Sequence, residues 1–330
     1  MVTSRDVARL AGVSQATVSR VLSPTANVLP HTRDRVLAAM EELGYVPHAG
    51  AQAMKTRRTD VIGVVVDDVT NPFYSEVLDE LTNVLGDAGF RVVVWNEGHG
   101  SHQDALNAIG ESAVDGVVFA TATARSPELH EAVKRNRPIV LINRDVEGVE
   151  CDRVISENLV GGATVADYLV AHGRTRAAMI SGNQLATTSR DRTSGFLDRM
   201  RELGHEVPEE WQLNGGFSHD LAEDITRGLL SGDGPRPEAL FCVNDQMAFG
   251  ALDALRALGV STSECWVIGY DDVEIASWPS FDLTTIRQPS REMAAEGARL
   301  LINRLKHPDT PPRTITFPCE LRERGSTPSE

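Results

Sequence analysis

Nowhere in this 330-residue chain is there an apolar run approaching the roughly 20 residues that a membrane span requires. The N-terminus also lacks the basic-then-apolar stretch of a secretory leader. Both absences point to a cytoplasmic protein with no membrane partner. Cysteine is scarce: Cys151, Cys242, Cys265 and Cys319 stand alone with no CxxC or other metal-like spacing, so reduced structural thiols are expected. The parts of a catalyst are missing as well, with no GxSxG, no P-loop and no HExxH. Gly98-His99-Gly100 follows a strand-like run, but Gln103 stands where a dinucleotide loop would carry its third glycine. His99 and His102 have the spacing of a ligand pair, yet no third ligand is nearby in sequence, so a solvated loop and no metal are expected. Asp67-Asp68 and Asp271-Asp272 look like catalytic carboxylate pairs, but adjacent residues on a strand point to opposite faces. Neither an enzyme nor a cofactor is expected.

Charge is present and unevenly spread. The chain carries −15 overall, with an isoelectric point near 5.1. Residues 1–58 nevertheless hold eight Arg or Lys against four acids, about +4, leaving about −19 for the remainder. An evenly acidic chain would be repelled by DNA. Segregation lets a basic headpiece bind phosphates by counterion release while the acidic body stays off the duplex.

The headpiece has the pattern of a helix-turn-helix over residues 3–22. Thr3 stands three residues before Asp6, a capping pattern that starts a helix. Val7, Leu10 and Ala11 give it one apolar face. Gly12 is placed to end it in a left-handed conformation. Ser14 is positioned to cap a second helix, whose Val18, Val21 and Leu22 point inward. Gln15, Ala16, Ser19 and Arg20 remain on the outer face, where small, polar and basic residues suit base edges and phosphates. Residues 31–43 form a third amphipathic helix through Val36, Leu37, Met40 and Leu43, stopped by Gly44. Leu29 offers that helix no side-chain cap.

The body alternates strand and helix. Val61–Asp67, Arg91–Trp95, Gly116–Ala120 and Pro138–Asn143 are short β-branched runs, and the pattern resumes at Ala177–Ser181, Ala239–Val243 and Trp266–Tyr270. Such alternation predicts an α/β core of parallel sheets with helices on both faces. Ligands in such sheets sit outside the carboxyl ends of the strands.

These motifs carry a resemblance. Val2-Thr3-x-x-Asp6-Val7-Ala8-x-Leu10-Ala11-Gly12-Val13-Ser14-x-Ala16-Thr17-Val18-Ser19-Arg20-Val21-Leu22, then Thr32-Arg33-x-x-Val36-x-x-Ala39-Met40-x-x-Leu43-Gly44-Tyr45-x-Pro47, resembles the lactose/galactose-repressor family of bacterial transcription regulators. Strand-end marks continue it: Asn71-Pro72-Phe73-Tyr74, Asn143-Arg144, Arg192-x-x-Gly195-Phe196, Asn244-Asp245-x-Met247-Ala248, Gly269-Tyr270-Asp271-Asp272, Leu283-Thr284-Thr285-Ile286 and Leu321-x-x-Arg324-Gly325-Ser326-Thr327. The resemblance implies an all-α helix-turn-helix headpiece (1–47), a hinge (48–58) and a two-lobed core similar to periplasmic sugar-binding proteins (59–330). Lobe one is expected at about 59–159 plus 289–318, and lobe two at about 160–288 plus 319–330.

The same resemblance implies a function and its residues. A homodimer would hold a pseudo-palindromic operator, with a small effector, a sugar or related metabolite, in the cleft between lobes. It extends the DNA-facing set to Thr3, Ser4, Ser14, Thr17 and Thr32. On composition alone residues 48–56 are a solvated linker too short to be helical by themselves. The resemblance implies instead a hinge helix formed on DNA, with Met54 wedged into the minor groove and Lys55 on a phosphate. Gly50 and Gln52 depart from the family's alanine and arginine and weaken such a hinge. In the cleft, Arg192 and Asp271 would bracket ligand hydroxyls. Phe73 and Phe217 would face the ring, Asn244 would add a donor and an acceptor, and Arg190 would line the mouth. Tyr74, Asn143 and Glu157 complete the set, Glu157 standing where the family has aspartate. The alternative is that Arg192 and Asp271 only pair with each other and hold the lobes. No leucine heptad follows Leu321, so a dimer is expected. Rival functions are a solute-binding protein, opposed by the headpiece, and a sugar-processing enzyme, opposed by the missing catalytic groups.

Overall fold

The computed structural model describes residues 2–22, 28–45, 58–99, 102–232 and 234–328. They form two compact units, residues 1–59 and 60–330. The expected hinge contacts Met54 and Lys55 lie outside the described residues.

The first unit packs α1 (Ser4–Ala11), α2 (Gln15–Val21) and α3 (Pro30–Leu43). Thr3 starts α1 as read from sequence: its N–H and Oγ1 both donate to Asp6 Oδ2, at 3.0 and 2.7 Å. The hydrogen bonds from Thr3 hold the Asp6 carboxyl below its ordinary range. Gly12 ends α1 at φ 63°. A side chain there would also strike Arg35, whose Nη2 would be 2.7 Å from an added Cβ. Ser14 Oγ accepts from Thr17 N at 3.1 Å and caps α2, whereas Leu29 gives α3 no side-chain cap and Pro30 opens it. The core is Val7, Ala8, Ala11, Val18, Val21, Val36 and Ala39. Two expectations fail here. Leu10 and Leu37 are exposed, at 45% and 47%, and the alanines Ala8 and Ala39 take the buried positions. Small side chains on the inner faces let short helices approach closely, which leaves the bulkier leucines to the rim.

The second unit contains two six-stranded sheets. Lobe one is built from β1 (Val61–Val66), α4 (Pro72–Asp87), β2 (Arg91–Asn96), α5 (His102–Gly110), β3 (Gly116–Phe119), α6 (Pro127–Lys134), β4 (Ile139–Ile142) and β5 (Asp152–Ser156). Lobe two follows with α7 (Asn158–Ala171), β6 (Ala177–Ser181), α8 (Thr187–Glu202), β7 (Gln212–Asn214), α9 (His219–Ser231), β8 (Ala239–Cys242), α10 (Asp245–Leu258), β9 (Trp266–Asp271) and β10 (Thr284–Arg287). The chain then returns to lobe one through α11 (Ser290–Lys306) and β11 (Thr314–Phe317), and ends in lobe two with β12 (Glu320–Arg322).

The first sheet runs β11-β5-β4-β3-β1-β2, all parallel, and the second β12-β10-β9-β8-β6-β7. In the second, β12 alone runs antiparallel, pairing its Arg322 with Thr285 of β10. Side chains alternate between two apolar layers: Ile62, Val64, Val66, Val118 and Val140 pack on one face of the first sheet, and Val65, Phe119 and Leu141 on the other. Both faces are covered, as parallel sheets require. The seven strands read from sequence are present, with ends shifted by a residue or so. Strands β5, β7, β10, β11 and β12 were not expected. They are short, and most alternate with polar residues, so nothing resembling a continuous apolar run marks them.

All four thiols are free; Cys151, Cys242 and Cys265 are buried. No described helix is long and apolar enough to cross a membrane.

Candidate functional sites

On the headpiece, the cap Ser14 and the α2 residues Gln15, Ala16 and Arg20 are exposed, with Thr17 and Ser19 half-buried beside them. Gln15 Nε2 donates to Ser4 Oγ at 2.9 Å and so ties the start of α2 to α1. Thr3 is exposed, and Ser4 and Thr32 are half-buried. Two of the basic residues that make this unit positive serve its fold. Arg35 Nη2 donates to the carbonyls of Ala11 and Gly12, and Arg33 Nη1 donates to Val21 O at 3.4 Å. Each guanidinium sits at a helix C-terminus, where carbonyls lack intrahelical partners. Sequence counting could not separate these arginines from Arg20.

The core holds a cavity of about 300 Å³ at the carboxyl ends of the strands. Seven of the nine expected cleft residues line it: Phe73, Tyr74, Asn143, Arg192, Phe217, Asn244 and Asp271. Each is placed by a local device. Asn71 Oδ1 accepts from Phe73 N at 3.0 Å, capping α4 with Pro72 in its first turn, which fixes Phe73 and Tyr74 at the rim. Burial pushes the Tyr74 hydroxyl up to about 12. Asn143, Phe217 and Asp271 all have positive φ without being glycine, at 59°, 66° and 125°. Strained backbone at non-glycine residues clusters at functional sites, because the fold must hold it there. Phe217 in turn needs Gly182: a Cβ there would be 2.1 Å from its Cε1.

The Arg192 guanidinium is almost fully buried. It donates from Nε to Asn158 Oδ1 (2.8 Å) and from Nη1 to Val243 O (2.7 Å) and Asp271 Oδ1 (3.1 Å). It also stacks 3.7 Å from the centroid of the Tyr270 ring. Its Nη2 has no partner. The ion pair with Asp271 is therefore real, but it leaves one donor group of the fork unused. Gln288 Nε2 also bonds Asp271 Oδ1, at 2.6 Å. Burial pushes the Asp271 carboxyl up to about 6, against the downward pull of Arg192 and Gln288. Asn244 caps α10 through Oδ1, which accepts from Met247 N at 3.0 Å, so its side-chain acceptor is already engaged and its NH2 remains.

Two expected cleft residues are not in the cavity. Glu157 is exposed ahead of α7, and its neighbour Asn158 faces inward to reach Arg192. Arg190 is exposed because Thr188 and Arg192, four residues apart on α8, occupy the inner face and place residue 190 on the other side. Asp67 and Asp68, expected to diverge, both line the cavity. Strand β1 ends at Val66, so the alternation rule does not reach them. Asp272 does diverge from Asp271, its Oδ1 accepting from Arg324 Nη2 at 2.6 Å. Arg144 was missed. It is buried, donating from Nη1 to Asn143 O (2.9 Å) and Thr188 Oγ1 (2.8 Å), and so links the lobes. The strand-end rule could have found Asp67, Asp68 and Arg144, since each stands within two residues of the carboxyl end of β1 or β4. His102 also departs from expectation: it opens α5 and its Nδ1 lies 2.6 Å from Glu128 Oε1.

Comparison with known proteins bears on both units. Residues 3–48 match the bacterial regulatory proteins of the lacI family, and residues 166–327 match a periplasmic binding protein-like domain. The HTH-type transcriptional repressor PurR of Vibrio vulnificus (strain CMCP6) is 34% identical over 331 residues, covering 99% of this chain and 98% of the relative. The ribose operon repressor of Escherichia coli (strain K12) is also 34% identical, over 99% and 100%. Among solved structures, the Lac repressor dimer bound to operator and the anti-inducer ONPF superposes with a TM-score of 0.85, with 27% identity over 99% of both chains. A complex of the transcriptional regulator CelR with cellobiose gives 0.75 at 30% identity, covering 99% of this chain and 100% of that one. Matched along nearly its whole length by such relatives, the chain belongs to the lacI family of bacterial regulatory proteins.

Proposed function

We propose that this regulator acts as a homodimeric repressor in the cytoplasm, holding a pseudo-palindromic operator whose affinity is set by a small sugar or related metabolite. Gln15, Ala16, Ser19 and Arg20 read the major groove, with Thr3, Ser4, Ser14, Thr17 and Thr32 on the backbone and Met54 and Lys55 at the hinge. The effector lies between lobes spanning about 59–159 plus 289–318 and about 160–288 plus 319–330. Phe73 and Phe217 cover its C–H faces. Asp271 accepts from a hydroxyl, and Arg192 and Asn244 donate; Tyr74 and Asn143 close the wall.

The observation that carries this reading is the buried Nη2 of Arg192, a charged donor without a protein partner on a residue that lines the cavity. A buried donor left unmade costs about 1–3 kcal/mol, more when charged, and a ligand oxygen relieves that cost. A volume of about 300 Å³ lies at the lower end of the roughly 300–1,000 Å³ range of ligand pockets, which suits a single-ring compound. Ribose is bound in a similar regulator from Enterococcus faecium, at 26% identity and a TM-score of 0.72 over 81% of this chain and 98% of that one.

The test joins two measurements on the full chain. A thermal-shift screen of pentoses, hexoses and nucleosides finds the compound that raises the melting midpoint, as ligands of the native state do. A gel shift on the DNA beside the protein's own gene then shows that compound changing affinity by roughly 5–150-fold. No shift of any promoter fragment at low salt, with or without ligand, defeats the proposal.

A further inference from the structure

A second polar cluster lies beside the effector cavity in lobe one. Glu97 starts the short turn after β2, His102 opens α5, and Glu128 stands in the first turn of α6. Among the described residues, these three form the one group of His, Cys, Asp or Glu whose ligand atoms all lie within 4.8 Å of one another. His102 Nδ1 is 2.6 Å from Glu128 Oε1 and 3.9 Å from Glu97 Oε1. The Glu128 side chain is wholly buried and that of Glu97 is 13% exposed, while the imidazole is 50% exposed.

The burial is not matched by partners. Glu97 Oε1 and Glu128 Oε2 are buried with no hydrogen bond. Thr121 Oγ1 donates only to Glu97 Oε2, at 3.3 Å. Among the described residues, no lysine or arginine pairs with either carboxylate, and the His102 imidazole is the nitrogen group that lies within 4 Å of both. Two adjacent buried carboxylates must share a proton or gain a positive charge between them. An imidazole with two carboxylates is a donor set for a borderline divalent ion rather than for calcium or magnesium, which favour oxygen alone.

We propose that Glu97, His102 and Glu128 hold one divalent transition-metal ion of the zinc class, with a fourth position open to the adjacent cleft. That cleft is walled in part by Asp67, Arg144 and Phe217, which also wall the effector cavity. Zinc bonds of about 2.0–2.2 Å set tetrahedral ligand atoms roughly 3.4 Å apart. The 2.6 Å contact must therefore open and the 3.9 Å one close, which a half-exposed imidazole at a helix start accomplishes by swinging between fixed carboxylates. Ligand atoms bind a metal only in their deprotonated form, so uptake of the ion releases to solvent whatever protons the three side chains carry.

The test needs neither operator nor effector, so its outcome is separate from that of the regulatory reading. Tag-free, chelator-stripped full-length protein is dialysed against Zn2+, and Co2+ is added in parallel to read coordination by its visible absorption. One ion per chain is expected, with tetrahedral Co2+ bands. His102→Ala and Glu128→Gln should each weaken binding at least tenfold, since loss of an outer-shell partner alone costs about 10–100-fold. Circular dichroism checks folding; should Glu128→Gln fail to fold, the half-exposed His102 decides alone. The proposal is overturned by sub-stoichiometric Zn2+, by His102→Ala binding as tightly as the parent, or by tighter binding of Mg2+ than of Zn2+.

Discussion

Replacing Asp271 with asparagine separates the two things its carboxylate does. In the native chain Oδ1 accepts from both Arg192 Nη1 (3.1 Å) and Gln288 Nε2 (2.6 Å). Asparagine keeps that acceptor, so both bonds survive while the charge is lost. The buried guanidinium then has no counter-ion. Breaking a buried pair costs about 3–5 kcal/mol, and the retained bonds together with the Tyr270 ring place this variant at the lower end, about 3 kcal/mol. The effector loses a hydrogen bond to an anion, about 1.5–3 kcal/mol, so its Kd rises roughly 10–150-fold. The pH profile is the sharper readout. With burial pushing the folded Asp271 carboxyl up to about 6, above the ordinary aspartate range, the group is charged at neutral pH and takes up a proton as pH falls through 6. Effector affinity should fall by up to about tenfold per pH unit below 6. The stability linkage runs the other way: a raised native pKa stabilises the fold below the unfolded value, and that contribution is lost as pH rises from about 4 to 6. Asp271→Asn should abolish both dependences. Isothermal titration from pH 5 to 8, beside thermal unfolding, measures them. A variant that binds within threefold of the parent at pH 7.5, or whose affinity still declines below pH 6, refutes the assignment of this carboxylate to the ligand.

Three further substitutions probe other levels. Arg20→Ala should cost about 1–3 kcal/mol on operator DNA and relax specificity at one base pair, whereas equal losses on operator and random DNA would show a phosphate contact only. Ser14→Ala removes the cap on α2 and should cost about 1 kcal/mol, seen as hydrogen exchange at the Thr17 amide roughly five times faster; unchanged exchange would mean that the cap contributes nothing. Gly182→Ala places a methyl 2.1 Å from Phe217 and should weaken effector binding at least tenfold by moving the ring, as read by titration, while operator affinity without effector stays unchanged.

Much of the architecture is legible in the sequence because it depends on local rules. The Thr3/Asp6 and Ser14/Thr17 caps each join residues three apart and Gly12 acts at its own position, while the strands of the parallel sheets announce themselves as β-branched runs. What was hidden depends on distant partners. Leu10 and Ala8 cannot be ranked by periodicity when either could face inward, because the spacing of the helices decides. The edge strands β11 and β12 are too short and polar to stand out, and they form only because a preceding strand offers them a ladder. At the cavity, family marks gave Arg192 and Asp271 but misassigned Glu157, since a shift of one residue at the end of β5 exchanges which side chain faces in. The cluster of Glu97, His102 and Glu128 was invisible for a similar reason: Glu128 is 26 residues from His102 and meets it only because α5 and α6 pack side by side.

The polar groups of the cavity are also joined to the segments where the chain crosses between lobes. Ser156, at the end of β5, donates to Gln288 Oε1 at 2.9 Å, and the same Gln288 holds Asp271 through Nε2. Asn158, just past that first crossing, holds Arg192. A third tie, from Arg144 to Thr188, spans the lobes directly. A ligand alters a conformational balance only by the difference in its affinity for the two states, and the coupling required, about 1–3 kcal/mol, is the worth of one or two charge-assisted hydrogen bonds. Arg192 and Asp271 can supply that difference without any long relay, because the residues that position them are the crossing residues themselves. On the proposed reading, an effector that draws on Nη2 of Arg192 and on the Asp271 carboxylate changes the load on Asn158 and Gln288 in the same act, and these two residues stand at two of the three crossings between lobes.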